Sequence, residues 1–199
     1  DIDWYATAEI GEQIYVKSSK RKITQKGLDK SSAKVLPIGT ILFTSRAGIG
    51  NTAILAKPGA TNQGFQSIVP NKKILDSYFI FSETTNLKKY GEVTGAGSTF
   101  VEVSGKQMEN MDIIIPKLEE QKKIGTLFEK LDNLITLHQR KYEKLVNVKK
   151  SLLEKMFPQN DEKIPKIRFK GFTNTWEQRK FGDMYDRVSE KNDLSYTKE

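Results

Sequence analysis

The chain has 199 residues, 37% of them hydrophobic, and a formal net charge of +8 at pH 7, a size for one domain and an appendage. Cysteine is absent and His138 is the one histidine, which excludes disulfides, thiolate metal sites and histidine-rich metal centres. No apolar run approaches the roughly 18 residues of a membrane span and the first residues lack a signal-peptide pattern, so a soluble intracellular protein is expected, without a membrane partner; a polyanion would fit its charge.

Residues 1–115 read as a mixed, strand-rich domain. Between residues 17 and 34, Lys17, Lys20, Arg21, Lys22, Lys26, Lys30 and Lys34 face Asp29 alone, a local basic patch. Residues 35–44 are a turn followed by a β-branched and aromatic run, and residues 52–56 and 66–69 are short strand candidates punctuated by Gly48, Gly50, Gly59 and Gly64. Residues 76–90 suggest one helix and residues 95–99 a loop. Residues 104–111 suggest a short helix capped by Ser104, and residues 111–116 a strand ended by Pro116.

The pattern changes at residue 118. Ile124, Leu127, Leu131, Leu134, Leu145, Val148 and Leu152, with His138 and Lys141 in the two intervening places, alternate at three and four residues, the seam of a coiled coil. Phe128, Ile135, Tyr142 and Met156 flank it. A helix of this length, about 60 Å, cannot bury such a stripe on a small domain and calls for a partner helix; the simpler alternative is a long surface helix. Residues 158–175 form a basic, proline-containing connector. From Trp176 a new element begins, read as the truncated start of a second domain. The fold class is α+β, divided as 1–115, 116–157 and 158–199.

No active-site motif stands out. Gly48-Ile49-Gly50 and Gly95-Ala96-Gly97 do not extend to a dinucleotide-binding pattern, and Walker A, Gly-x-Ser-x-Gly and amino-methyltransferase motifs are absent. A nuclease site can be assembled from Asp112, Glu120 and Lys122, but Glu and Lys are expected by chance in the first turns of a charged helix. His138 reads as a polar seam residue that restricts register. Nucleic-acid binding survives this elimination. Lys20, Arg21 and Lys22 could neutralise phosphates, Arg46 could pair with guanine, and Asn62, Gln63 or Gln66 with adenine, from polar loops at 44–48, 61–66 and 94–100. The alternative is that the lysines form a solvated face and the loop amides cap turns.

Several runs resemble the target-recognition domain of type I restriction–modification specificity (S) subunits. They are Asp1-Ile2-Asp3-Trp4-Tyr5, the stretch from Leu36-Pro37-Ile38-Gly39 through Ser45-Arg46-Ala47-Gly48-Ile49-Gly50, Ala60-Thr61-Asn62-Gln63-Gly64-Phe65 and Ser98-Thr99-Phe100. Ile115-Pro116 through Glu119-Glu120-Gln121-Lys122-Lys123-Ile124 resembles the family's helical spacer, and Trp176-Glu177-Gln178-Arg179-Lys180-Phe181-Gly182-Asp183 the lead-in to a next recognition domain. The resemblance implies two recognition domains joined by two long helices in an antiparallel coiled coil, each domain reading half of an interrupted DNA target. It implies a non-catalytic, prokaryotic cytoplasmic subunit that docks methyltransferase (M) and motor-nuclease (R) subunits. No cofactor is expected in this chain; S-adenosylmethionine, ATP and Mg belong to the partner subunits. The family pattern also implies that the first strands of the recognition domain are missing, that the chain is a fragment or incompletely covered, and that the second spacer helix comes from the same subunit or a second copy.

Lys20, Arg21, Lys22, Arg46, Asn62, Gln63, Ser98 and Thr99 are therefore the expected DNA contacts. Rival readings are a metal-dependent nuclease using Glu120 and Lys122, and a non-catalytic coiled-coil tether.

Overall fold

A computed structural model describes residues 1–11, 13–46, 48–96 and 102–185. They include six short strands: β1 (Ile2–Tyr5), β2 (Tyr15–Val16), β3 (Arg21–Ile23), β4 (Ile41–Phe43), β5 (Thr52–Leu55) and β6 (Ala60–Thr61). One sheet has the order β3-β1-β6, antiparallel then parallel, and the other β2-β5-β4, parallel then antiparallel. The apolar runs of β4 and β5 are buried throughout, as continuous hydrophobic strands should be when both faces are covered. Their side chains alternate between two clusters. Leu42, Ala53 and Leu55 join Tyr5, Ile10, Val16 and Phe65, while Ile41 and Phe43 join Ile49, Ile80, Leu87 and Val103.

The helices are α1 (Gln25–Asp29), α2 (Ser77–Ser82), α3 (Thr84–Gly95), α4 (Gly105–Glu109) and α5 (Leu118–Met156). The basic stretch, for which the residues alone suggested a charged patch and no element, folds as β3 and α1, the latter capped by Thr24, whose side chain accepts from the Gly27 amide at 3.1 Å. The helix expected over 76–90 is two helices with a break at Glu83. Asp76 caps the first, accepting from the Tyr78 and Phe79 amides, and α2 buries Tyr78, Phe79 and Ile80 where α3 buries Leu87, Gly91 and Gly95. Two different buried faces require the chain to turn. Gly91 allows α3 close in: a Cβ there would sit 2.9 Å from Ile49 Cγ2 and 3.2 Å from Phe43 Cζ.

The strand expected at 111–116 is also corrected. This stretch lies in no sheet, with Ile114 98% exposed, because a β-branched run becomes a strand only where a sheet edge accepts it. Residues 66–69 likewise contribute one isolated bridge, Ile68 to Ile41, and no named strand. The expectation at 104–111 holds as α4, where Ser104 accepts from the Gln107 amide at 3.3 Å.

The chain forms two compact units, Asp1–Thr136 and Leu137–Glu199, and α5 contributes to each. In the first unit α5 docks through a polar stripe at helical spacing. Gln121 is 1% exposed; its Oε1 accepts from the Asp76 amide at 3.0 Å, and its Nε2 donates to the Ile74 and Pro116 carbonyls at 3.0 and 2.8 Å. Gly125 lies flat against α2, where a Cβ would come within 2.7 Å of Asp76 Oδ1 and 3.1 Å of the Phe79 nitrogen. The Tyr15 hydroxyl donates to Glu129 Oε1 at 2.6 Å and the Tyr78 hydroxyl to Asp132 Oδ2 at 2.7 Å. Burial, and then the carboxylate each phenol meets, push both well above the usual tyrosine value.

In the second unit the connector folds back on the last turns of α5. Ile167 N donates to the Lys155 carbonyl at 3.0 Å and Trp176 N to the Lys163 carbonyl at 2.8 Å, Pro165 is buried, and Trp176 meets Phe157 edge-on with ring centroids 6.0 Å apart.

Candidate nucleic-acid interface

The loop leaving β4 is a tight return. The Thr44 amide donates to the Asn51 carbonyl at 3.0 Å, and the Thr44 hydroxyl donates to the Gly48 carbonyl at 2.6 Å. Gly48 and Gly50 have φ of 106° and 89°, which explains these two glycines. Thr44 and Ser45 are buried, so they support the loop and cannot present their side chains to a ligand as the sequence suggested. Arg46 is the first residue of this return to emerge; it is half-buried and forms a backbone bridge with Glu102.

The second loop is stitched to the first. The Ser45 amide donates to the Gly64 carbonyl at 2.8 Å, Thr44 bridges Phe65, and the Asn62 amide donates to the Tyr5 carbonyl at 3.0 Å. Asn62 Oδ1 accepts from the Gly64 amide at 2.9 Å, which commits one lone pair and leaves its amide nitrogen as a donor. A Cβ at Gly64 would lie 2.7 Å from Thr7 Cγ2, 3.1 Å from Asn62 Oδ1 and 3.4 Å from Arg46 Nε. Thr7, Arg46 and Asn62 therefore converge on one bare backbone position, with exposed Gln63 beside it. Gln66 is half-buried, and Ser98 and Thr99 lie outside the described residues.

The expected phosphate-binding side chains sit on β3, except Lys20 just before it. Arg21, Trp4 and Ala60 are consecutive partners across β3, β1 and β6. Arg21 is thus two strand spacings, roughly 10 Å, from the rank that leads into Asn62. Lys20 and Arg21 are exposed, and among the described residues neither side-chain cation forms an ion pair with a carboxylate. Lys22 differs. Its Nζ is 2.7 Å from Asp3 Oδ1, and Asp3 also accepts from the Ser19 amide and hydroxyl at 2.8 and 2.9 Å. Burial raises the Asp3 carboxyl, but the bonds from Lys22 and Ser19 outweigh it and hold it below the usual aspartate value. Lys22 is therefore a partly neutralised brace. Glu9 is a second brace, accepting from the Ala6 and Lys20 amides.

Reasoning from residue types missed Asp3, Glu9 and Ser19, whose bonds across the sheet, Asp3 with Ser19 and Lys22 and Glu9 with Lys20, join residues distant in sequence. Gly64 was visible only as turn punctuation. Along the seam of α5, Ile124 is half-buried, His138 and Lys141 are exposed, and the other apolar positions are between 40% and 58% exposed. Asp112, Glu120 and Lys122 are exposed, and the described residues include no group of three or more His, Cys, Asp or Glu able to hold a metal ion. No described helix is long and apolar enough to cross a membrane.

A family profile described as the type I restriction modification DNA specificity domain matches residues 1–147. The chain is 33% identical over 193 residues to the type I restriction enzyme MjaIX specificity subunit of Methanocaldococcus jannaschii, a match covering 92% of this chain and 45% of that protein. It is 26% identical over 160 residues to the EcoR124I/EcoR124II specificity subunit of Escherichia coli, covering 71% of this chain and 39% of that protein. Among solved structures it resembles the HsdS subunit from Thermoanaerobacter tengcongensis, with a TM-score of 0.51, 21% identity, and coverage of 82% of this chain and 45% of that one. A chain from a structure of type I R-M system assembly and conformational transition gives a TM-score of 0.54 at 18% identity, covering 76% of this chain and 36% of that one. These two structural matches support the α+β fold. The chain spans less than half the length of these relatives.

Proposed function

The chain belongs to the type I restriction modification DNA specificity family, and from that membership we propose that residues 1–115 form a recognition domain that reads one half of an interrupted duplex target. The observation that carries this reading is the convergence of Arg46, Asn62 and Gln63 around Gly64, two strands from the exposed cations Lys20 and Arg21. Arg46 supplies a planar fork of donors for a guanine edge, and Asn62 supplies its amide nitrogen. Lys20 and Arg21 hold phosphates and set orientation without reading sequence. Residues 116–157 act as a spacer whose seam faces a second helix, and residues 158–199 lead into a second recognition domain. In a prokaryotic cytoplasm the parent subunit docks methyltransferase and motor-nuclease subunits, which hold S-adenosylmethionine, ATP and Mg, and itself catalyses nothing. The nuclease reading of Glu120 and Lys122 has no observation in its favour.

The test is a binding selection from random duplexes with the full-length subunit and its methyltransferase, followed by salt titrations. Replacing Lys20 and Arg21 by Ala will weaken binding alike for all sequences and flatten the salt dependence by about 0.9 log units for each phosphate no longer neutralised. Lys22→Ala will do less, because that charge already belongs to Asp3. Unchanged affinity and slope in the double variant would remove these cations from the interface.

Arg46→Ala will relax preference at one base pair, at a cost of about 1–3 kcal/mol against the correct base. Gly64→Ala will act in the same direction while leaving both polar side chains chemically intact, since its methyl would sit 2.7 Å from Thr7 Cγ2 and crowd Asn62 Oδ1 at 3.1 Å. A sequence profile identical to wild type in both variants would show that this cluster does not read bases.

A further inference from the structure

Three faces of α5 have different chemistry. At about 100° per residue, Gln121, Gly125, Glu129 and Asp132 occupy one sector about 80° wide, and this is the sector docked on the first unit. The seam from Ile124 to Leu152 occupies the broadly opposite side. Between them lies a third sector, also about 80° wide, that holds Lys122, Lys130, Arg140, Lys144 and Lys155. All five are exposed, and among the described residues none has a carboxylate within 4 Å. Lys122 and Lys130 belong to the first unit and the other three to the second; that they share a sector follows from the helix alone.

The acids of the helix are segregated away from this face. Past the first turn, where Glu119 lies, no Asp or Glu falls in the cationic sector. Glu143 and Glu154 share the phase of Glu129 and Asp132 instead. A solvated helix gains from mixing its charges at spacings of three and four. Here, apart from Glu119 in the first turn and Lys150 on the acidic side, opposite charges occupy different sectors, which leaves a row of unneutralised cations.

We propose that this row lies along the phosphate backbone of the unread duplex between the half-sites, so that the spacer adds sequence-independent affinity as well as distance. This rests on the DNA-recognition reading of residues 1–115. The chemistry of the face favours nucleic acid over an acidic protein. Protein interfaces deplete lysine from their centres and anchor on aromatic, Met and Arg side chains. This sector has Lys, Arg, Thr126, Asn133 and Ser151, with only Leu137 and Val148 as apolar members. Duplex DNA carries about one charge per 1.7 Å of axis, so a straight row of flexible lysines finds phosphates without needing register.

The experiment compares the full-length subunit in its methyltransferase complex with a variant carrying Lys122→Gln, Lys130→Gln, Arg140→Gln and Lys144→Gln. Affinity is measured against salt on a duplex with the complete target and on one trimmed to a single half-site. All four side chains are exposed, and circular dichroism verifies that the helix is retained. The expected result is a salt slope lower by about 0.9 for each phosphate no longer neutralised on the long duplex, equal slopes on the trimmed one, and unchanged base preference. A variant with the four positions as Lys or Arg in exchanged order should restore the wild-type slope. Selective wild-type binding with an unchanged variant slope overturns the stripe and leaves the recognition reading intact. Loss of methyltransferase assembly at unchanged slope overturns it in favour of a protein-docking face. Absence of any selective, salt-dependent binding by wild type overturns both readings.

Discussion

Gln121→Leu will destabilise the first unit by on the order of 3 kcal/mol, although it replaces a polar side chain with an apolar one of similar size at a buried position. The amide satisfies one donor and two acceptors, the Asp76 amide and the Ile74 and Pro116 carbonyls. Leucine satisfies none, and each buried group left without a partner costs about 1–3 kcal/mol. For a chain of this size that corresponds to a fall in melting temperature of roughly 6–12 °C. Gly125→Val will have a comparable effect by a different route, because its side chain must displace Asp76 Oδ1 and the Phe79 backbone. Leu131→Gln is the contrast. It removes an exposed seam leucine and should cost this unit little, while weakening association with a partner helix. Thermal and urea unfolding of the three variants is the measurement. A loss below about 1 kcal/mol for both Gln121→Leu and Gly125→Val would mean that the polar stripe does not hold the helix.

Duplicating seven residues after Lys141 in each spacer helix of the full-length subunit will lengthen the unread gap by about three base pairs and leave both half-sites unchanged. Seven residues add about 10.5 Å and close to two helical turns, so the recognition domains move apart with their orientation nearly preserved. Two inserted residues add only about 3 Å but rotate the distal half of the helix by about 200°, which turns the seam away from its partner, and recognition will be lost. The exposed apolar seam motivates the prediction, since soluble proteins rarely leave a patch of this extent uncovered. Target determination for both insertions is the test. An unaltered gap with retained activity in the seven-residue variant would end the reading of α5 as a ruler.

Local features are legible in the residues alone. The apolar runs of β4 and β5, the Ser104 cap and the uninterrupted helix from Leu118 follow from periodicity and capping chemistry, which act within a few residues. The resemblance carried by Asp1–Tyr5, the 36–50 stretch and the Pro116–Ile124 junction led to the family, because these are contiguous motifs. It did not reveal what the junction does: Gln121 has its partners 45 to 47 residues earlier as well as nearby at Pro116.

Tertiary packing sorted the remaining signals. Ile113-Ile114-Ile115 reads as a strand, yet a strand exists only against a neighbour, and no described sheet edge takes it. Arg21 and Lys22 are adjacent and alike in sequence, but pairing across β1 gives Lys22 to Asp3 and leaves Arg21 exposed. Thr44, Ser45 and Arg46 read as one polar loop, and packing buries the first two and releases the third. The apolar stripe of α5 looked like the face the helix would need to bury, yet the domain binds the polar stripe Gln121, Gly125, Glu129 and Asp132, because hydrogen-bond partners and a close approach were available there. Side-chain type states what a residue can do; the strand pairing and helix docking that bring distant residues together select which of those capacities is used.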